Sequence, residues 1–145
     1  MFDLTGKTAI ITGSSKGIGK SITKNLLLNN KVINLSRSSP DFTDHNLTSY
    51  NYDVLTEEIP LIDNADGLVY CPGSINLKPF KRLKLDDFRN DFEINVIGAI
   101  KAIQALIPAL SKSESGSIVL FSTVATSLGM PFHASIATAK SAIEG

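Results

Sequence analysis

The segment Thr12-Gly13-Ser14-Ser15-Lys16-Gly17-Ile18-Gly19 has the residue types and the spacing to bind a phosphate group. An apolar run of strand length, residues 8–11, precedes it, and Ile18, Ile22 and Leu26 follow at every fourth position, as on one face of a helix. A helix N-terminus offers unpaired N–H groups and a partial positive charge, and glycines let a pyrophosphate approach the backbone. The segment therefore predicts a dinucleotide site, with a glycine-rich turn that binds nothing as the alternative.

Gly19-Lys20-Ser21 looks like the end of a different phosphate motif, the P-loop. That motif has four residues between its glycines, whereas five residues separate Gly13 from Gly19 here. The difference turns the lysine away from the phosphates, so the P-loop is excluded.

The elements that must position this turn alternate between strand-like and helical patterns, which is typical of a parallel α/β sheet. The longest helix is predicted from near Asp86 to about Leu110, and Pro108 implies a kink or an early end. Residues 37–48 are predicted to form a loop or a single turn, and residues 53–66 only a brief helix. The predicted strands are residues 8–11, 31–36, 49–52, 67–71 and 117–122.

Composition restricts the class of protein further. The 145 residues are predicted to form a single domain over 1–145, and the 14 basic and 14 acidic residues cancel, which argues against a nucleic-acid or anionic-membrane partner. No apolar run approaches the ~18 residues of a membrane span. The one cysteine, Cys71, and the lack of a leader-like apolar segment favour the cytoplasm. Two distant histidines and one cysteine predict no metal site.

Further residues follow the strands in a fixed order. They are Asp53-Val54 after the third strand, Cys71-Pro72-Gly73 after the fourth, Asn95 in the long helix, Ser122-Thr123 after the fifth strand and Lys140 in the last helix. Together with the glycine turn, this order resembles the short-chain dehydrogenase/reductases, particularly small bacterial members similar to 3-oxoacyl carrier-protein reductases. The resemblance implies a Rossmann-like parallel sheet of strand order 3-2-1-4-5, without the family's C-terminal strands, so that the fifth strand becomes a sheet edge.

The resemblance also implies where a nicotinamide dinucleotide would bind. Asp53 resembles the carboxylate that accepts a hydrogen bond from adenine, with an ordinary helix cap as the alternative. The family usually has Asn-Asn-Ala-Gly where this chain has Tyr70-Cys71-Pro72-Gly73, and the proline removes an N–H. The expected contacts are Gly13, Ser15, Lys16, Gly17, Ile18, Gly19, Ser36, Arg37, Asp53, Val54, Cys71, Pro72, Gly73 and Lys140.

The choice of cofactor depends on the end of the second strand. NAD-selective members place an acidic residue there to bind the ribose 2′-OH. This chain has Ser36 followed by Arg37, and Lys16 lies inside the glycine turn. Two cations without a carboxylate favour a 2′-phosphate, so NADP(H) is expected in preference to NAD(H). Two solvated surface cations are the alternative.

The catalytic residues implied by the resemblance are Asn95, which anchors a water relay, Thr123 in the place of the family's serine, and Lys140. The family's proton-donating tyrosine stands four residues before the lysine, where this chain has Ile136. Isoleucine has no proton to give. Neighbouring groups that could replace the tyrosine are Ser135, Thr138 and His133.

The expected function is hydride transfer between NADP(H) and a small carbonyl or alcohol substrate, with an altered proton donor. The alternatives are a non-catalytic NADP(H)-binding sensor or scaffold, and an inert fragment of a longer enzyme. A homo-oligomer formed through the long helices is expected from the resemblance. The 145 residues are either part of a longer polypeptide or a shortened chain whose missing cover comes from a partner.

Overall fold

The computed structural model describes residues 4–145, and within them the predicted α/β architecture is confirmed. The described residues form one five-stranded sheet in the order β3-β2-β1-β4-β5, with every neighbouring pair parallel. The third strand begins two residues earlier than predicted. The strands are β1 (Thr8–Thr12), β2 (Lys31–Ser36), β3 (Leu47–Asn51), β4 (Gly67–Tyr70) and β5 (Ser117–Leu120).

Helices connect the strands and flank the sheet. They are α1 (Gly17–Leu26), α2 (Leu85–Phe92), α3 (Gly98–Leu110), α4 (Ala125–Leu128) and α5 (Ala134–Glu144), with a 3₁₀ turn at Phe80–Arg82 and a π-helical turn, Glu93–Ile97, that joins α2 to α3. The connection 37–46 contains no helix, as predicted. The brief helix predicted within 53–66 is wrong, because the chain makes a single turn there, in which the Asp53 carbonyl accepts from the N–H groups of Thr56 (3.2 Å) and Glu57 (2.9 Å).

The core lies on both faces of the sheet because alternate strand residues point to opposite sides. On one face, Ile10, Leu35 and Leu68 pack with Ala102 and Leu106 of α3. On the other, the buried side chains of Ile11, Val32 and Leu27 pack with Ile22 and Leu26 of α1. Because all neighbouring strands are parallel, their carboxyl ends lie at one edge of the sheet, where α/β proteins bind ligands.

Ile18 does not belong to the buried stripe that the sequence predicts for α1. Its side chain is 61% exposed, whereas Ile22 and Leu26 pack against the sheet. Ile18 stands in the first turn of the helix, beyond the end of the strands. It therefore borders the ligand side of the sheet.

The long helical segment extends from Leu85 to Leu110, including the π-helical turn. Pro108 does not end it early, because the helix continues to Leu110. By length and composition alone, its 26 residues could cross a membrane, and 44% of the most apolar window is buried inside the protein. Ala102 and Leu106 are buried against the sheet, as in the core helix of a soluble domain.

Strand β5 forms one edge of the described sheet, as the resemblance implies. Ile118 and Val119 point to opposite faces of this strand, and both are exposed, by 41% and 45%. Strands of parallel sheets are usually buried on both faces. The edge at β5 is thus less covered than the centre of the sheet.

Candidate functional site

A cleft of about 550 Å³ lies at the carboxyl ends of β1 to β4. Its volume falls within the range of small-molecule and cofactor sites. Of the residues expected to contact a dinucleotide, Lys140 alone is outside its lining. Those that line it are Gly13, Ser15, Lys16, Gly17, Ile18, Gly19, Ser36, Arg37, Asp53, Val54, Cys71, Pro72 and Gly73.

The glycine turn has the backbone geometry that its sequence predicts. Gly13 (φ +82°) and Gly17 (φ +58°) occupy the left-handed region, and a Cβ on Gly19 would overlap the carbonyl oxygen of Gly13. Lys16 caps α1 in an extended conformation without a side-chain hydrogen bond to the helix. The N–H groups of the first turn of α1 therefore remain available to an anion.

Lys16 and Arg37 border the same cleft, and neither makes an ion pair within the described part of the chain. The neighbouring cations of α1 are engaged elsewhere. Lys20 pairs with Asp41 at 2.6 Å, which holds the pKa of that carboxyl below its usual range, and the Lys24 ammonium lies 5.0 Å above the ring of Phe42. The cleft thus retains two cations without an anionic partner.

Asp53 lies in the turn after β3, where no helix forms for it to cap. Its Oδ1 accepts from the N–H of Leu55 at 2.9 Å, and its own N–H donates to the Glu57 carboxylate, so the side chain stabilises the turn after β3. At the same time the residue lines the cleft. The second carboxylate oxygen makes no hydrogen bond among the described residues and could accept one from an adenine amine.

Tyr70, at the end of β4, is a positioning residue that the sequence analysis did not identify. Its hydroxyl donates to the Ile94 carbonyl at 2.6 Å, within the π-helical turn. Burial raises the pKa of Tyr70, so the phenol stays a donor. Burial also raises the pKa of the adjacent Cys71 thiol to about 11, so this thiol is neutral at physiological pH. The hydrogen bond of Tyr70 holds the π-helical turn, and with it Asn95, against the sheet.

Asn95 is fully buried and faces the loop after β4. Its Nδ2 donates to the Asp91 carbonyl at 2.8 Å and to Ser74 Oγ at 3.2 Å. Its Oδ1 has no hydrogen-bond partner among the described residues and lies 3.1 Å from the position of a Cβ on Gly73. A buried acceptor without a partner is costly, and this one adjoins a residue of the cleft.

Asp91 is the second residue that the sequence analysis missed. Its carboxylate is fully buried and accepts from Ser74 Oγ (2.5 Å), Asn76 Nδ2 (3.0 Å) and the Ser135 hydroxyl. These bonds join α2, the loop after β4 and the start of α5. The sequence did contain one indication of this role for Asp91. It stands four residues before Asn95 and therefore lies on the same face of the helix.

The remaining expected catalytic residues lie near the ends of β5 and α5. Thr123 Oγ1 accepts from the Ala125 N–H at 3.3 Å. Lys140 is half-buried, which lowers the pKa of its ammonium, and it makes no hydrogen bond or ion pair among the described residues. No described hydrogen bond joins Asn95, Thr123 and Lys140 to one another. Ile136 is 4% exposed, one helical turn before Lys140.

The groups considered as replacements for the tyrosine are already engaged. The Ser135 hydroxyl donates to Asp91, and the Thr138 hydroxyl donates to the Ala134 carbonyl at 2.8 Å. His133 Nδ1 lies 2.7 Å from the Pro131 carbonyl. Each side chain therefore has a partner within its own surroundings, and none lines the cleft.

Comparison with known proteins decides the family, because the model of the short chain dehydrogenases matches residues 7–145. The chain belongs to this family. It is 31% identical to glucose 1-dehydrogenase 2 of Bacillus subtilis over 98% of its own length, and 26% identical to the L-rhamnose 1-dehydrogenase (NADP(+)) of Thermoplasma acidophilum over 100%. It shares the fold of a putative short chain dehydrogenase from Escherichia coli, solved in complex with NADPH, with a TM-score of 0.84 and 22% identity over 99% of this chain.

The chain spans only part of these proteins. It covers 64% of the Bacillus enzyme, 65% of the Thermoplasma enzyme and 70% of the Escherichia coli chain. The matched part contains the glycine turn, the long helical segment from Leu85 to Leu110, and α5 with Lys140.

Proposed function

We propose that the protein is an NADP(H)-dependent oxidoreductase that transfers hydride between the cofactor and a carbonyl or alcohol. One observation carries the cofactor choice: Lys16 and Arg37 line one cleft without an ion pair in the described chain. Two neighbouring cations without ionic partners can both form charge-assisted hydrogen bonds with a 2′-phosphate. The similar Thermoplasma acidophilum protein is an L-rhamnose 1-dehydrogenase (NADP(+)), and the similar Escherichia coli structure contains NADPH, which supports the same choice.

The residues present fit this cofactor. The turn from Gly13 to Gly19 would hold the pyrophosphate through N–H groups, and the lack of a side chain at Gly19 lets the first turn of α1 approach the Gly13 carbonyl. Asp53 would bind the adenine amine, and Gly73 would allow the ribose to approach the strand end. When bound, the nicotinamide supplies or accepts the hydride.

The chain's own contribution to the reaction concerns orientation and the proton. Thr123 would donate a hydrogen bond to the substrate oxygen, and the Lys140 ammonium would stabilise developing negative charge there. Asn95 would hold a water through its free Oδ1. Because Ile136 has no proton to give, the proton would reach the alkoxide from water, which would leave a hydroxide.

A ketone and sugar panel tests the proposal. We expect the protein to oxidise NADPH with ketones, or to reduce NADP⁺ with sugars such as glucose and L-rhamnose, the substrates in the names of the similar proteins. Lys140→Ala should abolish this activity. Lys101→Ala, at an exposed position of α3, is the matched control and should leave the rate unchanged. Turnover that survives Lys140→Ala would contradict the assignment of the reaction centre.

A non-catalytic NADP(H)-binding module is the second candidate, and the buried Ile136 favours it. It predicts saturable NADPH binding with no turnover on any substrate of the panel. We further propose that the protein is cytoplasmic and forms a homo-oligomer through α2, α3 and α5. Mass measurement in solution tests the oligomer.

A further inference from the structure

A buried polar network lies beneath the cleft, and its centre is Asn34 of β2. The side chain is fully buried, on the same face of the strand as the apolar Val32. Amides in such positions are stable only when hydrogen bonded, and an apolar residue would fill the space at lower cost. The function proposed above assigns no role to Asn34.

The hydrogen bonds of Asn34 connect three segments. Its Oδ1 accepts from the Ser14 N–H at 3.4 Å and from the Ser36 hydroxyl at 2.9 Å. Its Nδ2 donates to Ser49 Oγ on β3 at 3.3 Å. The Ser36 hydroxyl also lies 2.8 Å from the Ser38 carbonyl, so two acceptors share its one proton.

The ends of this network stand beside the two cations of the cleft. Ser14 precedes Lys16 by two residues in the glycine turn, and Ser36 and Ser38 flank Arg37. We propose that Asn34 is a positioning residue that fixes the spacing between Lys16 and Arg37 and thereby makes the cleft selective for a ribose 2′-phosphate. This inference rests on the proposed function, and it names a determinant of specificity within the same site.

The two anchored segments do not depend on Asn34 equally. The glycine turn has a second anchor, because the Gly13 N–H donates to the Leu35 carbonyl at 2.9 Å. The segment around Arg37 also has a backbone anchor, because the Tyr52 N–H donates to the Ser36 carbonyl at 3.1 Å. Of the two bonds that Asn34 Oδ1 accepts, however, the one from the Ser36 hydroxyl (2.9 Å) is much shorter than the one from the Ser14 N–H (3.4 Å). Loss of Asn34 should therefore leave the pyrophosphate contacts in place and loosen the end that binds the 2′-phosphate. Charge-assisted hydrogen bonds need fixed geometry, so the effect should appear in NADPH binding and be small in NADH binding.

The test is an equilibrium titration of the protein with NADPH and with NADH. Asn34→Leu has similar volume and no polar atoms, and it should reduce the NADPH-over-NADH preference by about tenfold, the loss expected for one weakened charge-assisted hydrogen bond. Ser36→Ala removes the link to Arg37 alone and should reduce the preference severalfold. Ser49→Ala removes the partner on the far, exposed side and should leave the preference unchanged. Adenosine 2′,5′-bisphosphate against ADP repeats the comparison without nicotinamide.

The outcomes separate this inference from the proposed function. In one outcome, the wild-type protein prefers NADPH, and the variants keep this preference or lose affinity for NADPH and NADH by the same factor. That result overturns the role of Asn34 and leaves the proposed function intact. A wild-type protein without preference overturns both. If Asn34→Leu does not fold, as thermal unfolding would report, the smaller Asn34→Val replaces it, because Ser36 itself lines the cleft and its variant alone does not separate positioning from direct contact.

Discussion

The nucleotide end and the reaction end of this site differ in how their polar groups are used. At the nucleotide end, Lys16 and Arg37 face a cleft without an ion pair in the described chain. At the reaction end, Ser135 and Thr138 donate to internal acceptors, and Ile136, at the position where the resemblance implies a tyrosine, is buried. The two cations of the first region have no ionic partner in the described chain, whereas the two hydroxyls of the second region are bonded internally and only Asn95 Oδ1 and the Lys140 ammonium there lack a partner among the described residues. Binding and chemistry can therefore be separated by substitution.

The largest effect is expected where the reaction end is restored. Ile136→Tyr supplies the missing general acid one helical turn before Lys140, and ketone reduction should rise by about a hundredfold or more. The rate of NADPH oxidation measures it, with NADPH affinity unchanged. Ile136→Phe has similar bulk without the hydroxyl and is the control. A folded, NADPH-binding Ile136→Tyr protein with no gain would show that the reaction end has lost more than its tyrosine.

A single added methyl group should disrupt nucleotide binding at the nucleotide end. Gly19→Ala forces the turn away from the Gly13 carbonyl, so several N–H contacts to the pyrophosphate are lost. NADPH binding, measured by fluorescence titration, should weaken on the order of a hundredfold. Gly67→Ala is the control, because its Cβ would lie 3.6 Å from Ser117 Oγ in ordinary contact. Equal affinities for the two variants would contradict a close approach at Gly19.

The internal hydrogen bonds of the reaction end should contribute to the free energy of unfolding. Asp91→Ala removes the carboxylate that accepts from Ser74, Asn76 and Ser135, leaves Ser135 to the Asp87 carbonyl at 3.1 Å, and should cost about 3 kcal/mol of unfolding free energy. Denaturant unfolding measures it. Asp86→Ala, on the same helix but exposed and paired only with Arg89, should cost less than ~0.5 kcal/mol. Similar losses at the two positions would mean that the buried network is not stabilising.

The two ends also differ in how far the sequence predicts them. The glycine turn could be recognised because its backbone conformation is encoded locally by Gly13, Gly17 and Gly19. The strand order of the sheet and the roles expected for the residues after each strand were implied by the resemblance. Some strand ends were misplaced by one or two residues. Strand β3 already pairs with β2 at Leu47, two residues before the predicted start, whereas β4 and β5 end one and two residues before their predicted ends.

The reaction end depends on contacts that local patterns do not contain. The bond from Ser135 to Asp91 joins residues 44 positions apart, and the π-helical turn is held by the Tyr70 hydroxyl from β4. The brief helix expected after Asp53 does not form, and the chain makes a single turn at residues 54–56.

The most direct test of the account compares the dissociation constants of NADPH and NADH for the wild-type protein and for Lys16→Ala/Arg37→Ala. The account predicts that the wild-type protein binds NADPH at least about tenfold more tightly than NADH, since the 2′-phosphate gains charge-assisted hydrogen bonds. In the double variant this preference should disappear while NADH binding persists. Equal affinity of the wild-type protein for both nucleotides, or no binding of either at millimolar concentration, would contradict the central claim.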